Sequence, residues 1–160
     1  MTLWGALAGG AVGTIILTST LRLAQELGWT RMDIPLLLGT IFTDRRGRAS
    51  VLGYVIHFSN GLVFALAYYA VFRAVSHAGW LFGAALGVVH AGLAGGALVT
   101  VLLPAVHPRM GTPWSDAEET PLLEAPGFLL MNYGERTVIW TLLTHVAYGA
   151  IVGGFAAHLG

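Results

Sequence analysis

Hydrophobic residues fall into four long runs, roughly 3–27, 50–75, 80–104 and 137–159, separated by shorter stretches that hold most of the charge. Each run reaches the roughly 20 residues that a helix needs to cross about 30 Å of hydrocarbon. In lipid a spanning segment must satisfy its own backbone hydrogen bonds, and runs of this length and apolarity do so as helices. The pattern predicts an all-α membrane protein with four transmembrane helices.

The runs are paired. Leu7-Ala8-Gly9-Gly10-Ala11 and Thr14 reappear as Leu93-Ala94-Gly95-Gly96-Ala97 and Thr100, 86 residues on. At the same offset Asp33-Ile34-Pro35-Leu36-Leu37 meets Glu119-Thr120-Pro121-Leu122-Leu123. After a gain of two residues, Gly39 meets Gly127, His57 meets His145 and Gly61 meets Gly149. Four ordered matches with one small shift predict two tandem pseudo-symmetric hairpins, 1–78 and 79–160, in one membrane domain. Duplicated halves place equivalent residues about a pseudo-two-fold axis, where membrane proteins often build sites.

The connections between the spans of each hairpin are more than loops. Segment 33–42 is too apolar for open water and too short to span, and 125–131 is similar. Both are expected to be short interfacial helices or re-entrant turns, with 111–120 a polar loop. Arg31, Arg45, Arg46 and Arg48 crowd the first connection, whereas the turn between spans two and three holds only Arg73 and His77. The positive-inside rule then puts the connections in the cytoplasm and both termini outside. Arg109 and Arg136 agree with that side. The start lacks a basic n-region, so the first span is expected to be retained rather than cleaved.

Composition sharpens the class. Apolar residues make up 56% and charged residues 10%, against about 25% charged in soluble chains. Cysteine is absent, which excludes disulfides, iron–sulfur clusters and thiolate metal sites. Lysine is absent too, which excludes Schiff-base cofactors and a lysine nucleophile. A net charge of zero gives no basic surface for nucleic acid. No Gly-x-Ser-x-Gly, phosphate loop or His-Glu-x-x-His is present, and whether the protein is an enzyme stays open.

Small residues recur at four-residue spacing: Gly5, Gly9 and Gly13; Gly83, Gly87, Ala91 and Gly95; Gly149 and Gly153. Such stripes let helix backbones approach closely, either within the bundle or against a second copy or a larger membrane complex.

The chemistry-bearing candidates are histidines. His57 and His145 each lie about eight residues, roughly 12 Å, inside the cytoplasmic end of spans two and four. Ionisable side chains at membrane depth are costly and mark function. Opposed across the axis, this pair suits a bis-His haem b. Gly61 and Gly149, one turn on, would make room for the ring, and Arg45, Arg46 and Arg48 would meet its propionates. A transition metal is the competing use, with Asp33, Glu119 and His107 as further ligands. For the two carboxylates, N-capping of helices that begin at Pro35 and Pro121 is the simpler role. Asn60 and Tyr148, three residues after the histidines, are candidate hydrogen-bond partners. His90, in span three, has no histidine in the matching position; it is expected either to bond a neighbouring carbonyl or to extend a proton path with the other two. His107-Pro108-Arg109-Met110-Gly111 is expected to form a polar turn. Glu26 follows Arg22 by four residues, as an ion pair does.

The segments Asp33-Ile-Pro-Leu-Leu-Leu-Gly39, Gly53-Tyr-Val-Ile-His57-Phe, His107-Pro-Arg-Met-Gly111, Glu124-Ala-Pro-Gly127-Phe and His145-Val-Ala-Tyr-Gly149 resemble those of a group of small four-span bacterial membrane proteins. The resemblance covers most of the chain in short pieces. It implies a multi-pass protein of the bacterial inner membrane and supports the choice of histidines, but implies no reaction. The leading expectation is a membrane cofactor protein, with haem b or a metal on His57 and His145 and electron transfer involving a quinone. The alternatives are a non-catalytic subunit or assembly factor, and a proton or small-solute conduit.

Overall fold

The computed structural model describes residues 1–110 and 123–158. Four helices in it are long and apolar enough to cross a membrane: α1 (Leu3–Glu26), α3 (Arg46–Ala74), α4 (Trp80–Val106) and α5 (Arg136–His158). A short helix, α2 (Ile34–Gly39), follows α1, and a 3₁₀ turn, Phe128–Tyr133, precedes α5. No strand occurs among the described residues; one bridge joins Met110 to Leu123. The bundle therefore has a terminal end, with the start of α1, the end of α5 and the turn at 75–79, and a loop end, with α2 and the 3₁₀ turn. The expected loop at 111–120 and Glu119 lie outside the described residues.

Local signals account for the helix starts. Thr2 Oγ1 accepts the Gly5 N–H at 3.1 Å, and Asp33 Oδ1 accepts the Leu36 N–H at 3.0 Å. Each satisfies one of the donors that a helix N-terminus leaves unpaired. Pro35 follows at the first turn of α2, where a missing N–H costs nothing.

Packing follows the small residues. α1 and α5 lie together at the centre. Added Cβ atoms at Gly5 and Gly9 would stand 2.6 Å from Phe155 O and 2.9 Å from Val152 Cα. α5 also carries α4, with Gly83, Gly149 and Gly153 in mutual backbone contact. α1 carries α3: Gly10 faces Ala65, and Gly61 faces Thr14. α2 lies on the loop end of α3, with Gly39 against Ala49 O and Gly53 against Pro35 O. The stripes are thus used within the bundle, where close backbone approach replaces the hydrophobic drive that lipid cannot supply.

The two outer helices, α3 and α4, are barely in backbone contact. Side chains bridge them toward the terminal end, where Phe72 and Phe82 lie 5.9 Å apart and Phe64 and His90 3.8 Å apart, between ring centroids. Toward the loop end they part. Their outer faces are apolar and exposed, with Val51, Val55 and Val63 on α3 and Leu81, Val89 and Val101 on α4. Trp4 and Trp80 are exposed near the terminal end, where amphipathic rings suit a membrane interface.

α4 changes winding along its length. It is α-helical to Ala91, π-helical over Gly92–Leu102 and α-helical again to Val106. The Leu103 N–H reaches back five residues to Leu98 O, and Thr100 Oγ1 bonds Gly95 O at 2.5 Å. Pro104 cannot donate to the turn before it, and Gly92, Gly95 and Gly96 lower the steric cost of wider winding. Nothing in the apolar spacing announces this segment. π-turns are rare and often lie at functional sites.

One substitution tests the glycine packing. Gly149→Val places branched carbons where Gly83 O lies, and overpacking of this kind costs roughly 1–3 kcal/mol. Gly96, with nothing within 4 Å of an added Cβ, is the control. Thermal unfolding in detergent is expected to show a clear drop for Gly149→Val and little change for Gly96→Ala.

Candidate functional site

Between α3 and α4 lies a cavity of about 330 Å³. Its walls are mainly apolar, from Leu17 and Leu21 on α1, Leu38 on α2, and Leu98, Val99 and Leu102 on α4. Its inner end carries polar groups from four helices: Thr14 on α1, His57 on α3, His90 on α4, and Thr141, His145 and Tyr148 on α5. Asn60, Leu102 and Val106 are exposed at its edge, so it opens on the side where α3 and α4 part.

Helical spacing brings the histidines together. His57, Gly61, Phe64 and Tyr68 form an i, i+4, i+7, i+11 stripe on α3. Thr141, His145, Tyr148 and Val152 do the same on α5, and Gly83, Gly87, His90 and Ala94 on α4. Each stripe is one helix face. The His90 ring stands edge-on to His145, with centroids 4.7 Å apart, and 5.4 Å from Tyr148. Its Nδ1 lies 3.5 Å from the Tyr68 hydroxyl. His145 Nδ1 bonds Thr141 O at 2.7 Å. His57 makes no hydrogen bond with the described residues. Thr141 Oγ1 is buried and has no partner among them.

The expected haem slot is not formed by its glycines. Gly61 is filled by Thr14, and its carbonyl accepts the Tyr148 hydroxyl at 2.5 Å. Gly149 faces Gly83 and does not line the cavity. Gly61 therefore makes helix contact while also lining the cavity, and Gly149 makes helix contact away from it. Arg45, Arg46 and Arg48 are exposed around the start of α3 and do not line the cavity.

The proposed extra metal ligands are placed elsewhere. Asp33 caps α2 and lies 3.5 Å from the Arg22 guanidinium, which also pairs with Glu26 at 3.0 Å. Glu119 lies outside the described residues. His107 is buried at the loop end of α4: Nδ1 accepts the Arg109 N–H at 3.0 Å, and Nε2 donates to Leu37 O at 3.0 Å, with Thr40 Oγ1 at 3.1 Å. The Arg109 side chain donates to Thr40 O. His107 is therefore a latch holding α2 against α4, with neither nitrogen free for a metal. Among the described residues no group of three or more His, Asp or Glu side chains is arranged to hold a metal ion. Tyr148, expected beside its histidine, instead ties α5 to α3. Among the described residues His90 bonds no carbonyl, and its hydrogen-bond partner is the Tyr68 hydroxyl. Sequence reasoning passed over Tyr68, although its place on the His57 stripe is a signal that could have found it.

At the loop end the two halves are joined. Arg31 donates to Glu124 and to Asn132 O, and Thr30 and Thr137 hydroxyls meet at 2.7 Å. Trp29 stacks on Trp140 at 5.1 Å. Leu130, from the 3₁₀ turn, is buried and closes part of the cavity floor.

No family model, no curated protein and no solved structure matches the chain. The fold defines its class: a multi-pass, all-α protein with four helices suited to a lipid bilayer.

The latch has a pH dependence with a definite sign. Burial lowers the His107 pKa, and the nearby Arg109 charge acts in the same direction against the Leu37 hydrogen bond. A histidine lowered on folding stabilises the fold fully above its unfolded value, about 6.5, and loses that contribution as pH falls through the folded value. Hydrogen exchange of the α2 amides, corrected for intrinsic rates, is expected to rise between pH 7.5 and pH 5 while α1 stays protected. His107→Ala is expected to show the raised exchange at both pH values.

Proposed function

We propose that the protein is a membrane-embedded binding protein whose ligand enters between α3 and α4 and seats its polar end against His57, His90 and His145. The observation that carries this reading is the convergence of three histidines from three helices on one largely apolar cavity. Its volume falls within the range of about 300–1,000 Å³ typical of small-molecule sites, and apolar walls with a few convergent polar groups are their usual chemistry. A lipid-soluble molecule with a small polar head, such as a quinone-class compound, fits these walls. By the arginine distribution, the loop end faces the cytoplasm of a bacterial inner membrane.

A transition metal is the second reading, and one observation favours it. His145 gives its Nδ1 proton to a backbone carbonyl, the arrangement that orients a histidine for ligation through Nε2. Haem b is less favoured, because Gly149 packs on Gly83 away from the cavity and Thr14 stands against Gly61.

The protein, purified in mild detergent, should be extracted into organic solvent and analysed by mass spectrometry. Absorption spectra and metal content should be recorded on the same sample. A lipophile at near-stoichiometric amount, depleted at least about tenfold in the cavity-filling variant Ala94→Trp, is the expected result. A Soret band lost in His57→Ala and His145→Ala would establish haem instead, and a stoichiometric metal without that band would establish the second reading.

A further inference from the structure

The hydrogen bonds at the inner end of the cavity have a direction, and the direction selects a head group. A neutral imidazole carries one ring proton, so one nitrogen donates and the other accepts. In His145 the proton is on Nδ1, because that nitrogen faces Thr141 O at 2.7 Å and a carbonyl can only accept. Nε2 is then an acceptor. No described residue bonds it, and among the described residues the only side-chain polar atom both sealed from solvent and unpartnered is Thr141 Oγ1. Nε2 of His145 therefore opens onto free space, and the space beside this ring is the cavity.

His90 supplies the opposite polarity. Among the described residues the hydrogen-bond partner of the Tyr68 hydroxyl is His90 Nδ1, at 3.5 Å. This contact allows either direction; with the hydroxyl donating to the ring nitrogen, the tautomer the seat below uses, the His90 proton lies on Nε2. The two histidines, edge-on at 4.7 Å between centroids, thus offer one acceptor and one donor without bonding each other. Among the described residues no carboxylate lines the cavity, and Asn60, whose amide could also accept, is exposed at its edge. The rings of Phe64 and Tyr148, which pack against His90, also line the cavity, and aromatic lining suits an aromatic head group.

We infer that the inner end of the cavity is a seat for the hydroxyl of a phenol- or quinol-type lipophile. The ligand O–H donates to His145 Nε2, and the same oxygen accepts from His90 Nε2–H. The chain then runs in one direction: Tyr68 O–H to His90, His90 to the ligand, the ligand to His145, and His145 to Thr141 O. A ligand carbonyl or ether satisfies His90 but leaves the His145 acceptor unpaired, and an unpaired polar group in an apolar site opposes binding. The seat therefore prefers the hydroxyl-bearing, reduced form of a quinone-class molecule over the oxidised form. This inference rests on the reading of the cavity as the binding site for a lipophile.

The test compares 4-decylphenol with 4-decylanisole, which share the ring and the tail and differ in the O–H proton. Binding to the intact protein in lipid nanodiscs is measured by calorimetry and by thermal shift. The phenol is expected to bind at least about tenfold more tightly, and decyl-benzoquinone to behave like the anisole. In His145→Phe the phenol and the anisole are expected to bind alike. Because the comparison is made first on the unaltered protein, it does not depend on that variant folding. Equal binding of the phenol and the anisole to the unaltered protein overturns the directed seat and leaves the cavity reading standing. Binding of neither, with the protein folded, overturns both.

Discussion

The close contact of α1 with α5 is the constraint on which the rest depends. Gly5 and Gly9 bring the α1 backbone onto Val152 and Phe155, and Gly13 receives the face of the Tyr148 ring. Each central helix then has one remaining small face, which takes an outer helix: α3 on α1 through Gly10 and Gly61, α4 on α5 through Gly83 and Gly87. Two outer helices held against a tight central pair cannot also meet each other along their length. The gap between them is the cavity. The same geometry explains why Tyr148 bonds a carbonyl of α3, since it reaches across the centre from α5.

This arrangement departs from the symmetry of the repeat. If the halves were related by a strict pseudo-two-fold, α1 against α5 would have its equivalent in α4 against α3. The first pair is intimate and the second is parted. Residues that the repeat makes equivalent consequently have different surroundings. Gly61 meets a threonine of α1, whereas Gly149 meets a glycine of α4. His145 is buried with a fixed hydrogen bond, whereas His57 is half-buried without one. The asymmetry admits His90, which has a tryptophan as its repeat partner, to the centre of the site.

Much of the architecture was legible because lipid imposes simple rules. Length and apolarity set the four spans, and the proline that follows Asp33 set the short helix α2. The histidines on α3 and α5 were legible from their depth. Less legible was everything that depends on which helix faces which. The spacing of Gly61 from His57 is the same whether that glycine makes room for a ring or for Thr14. The winding change at Gly92–Leu102 leaves no mark in the apolar pattern. The role of His107 depends on Leu37 and Thr40, about 70 residues away in the chain, a contact that no local signal reports.

The measurement that bears most directly on the account is disulfide cross-linking, for which the natural absence of cysteine leaves a clean background. A disulfide needs Cα atoms within about 7 Å. Cysteines at Thr30 and Thr137, whose hydroxyls meet at 2.7 Å, join the chain leaving α1 to the start of α5; cysteines at Asn60 and Leu98 span the opening between α3 and α4. The account predicts rapid cross-linking of the first pair in membranes under mild oxidation, and cross-linking of the second only through a long bismaleimide. Rapid direct cross-linking of the Asn60–Leu98 pair, with the Thr30–Thr137 pair unreactive, would contradict it.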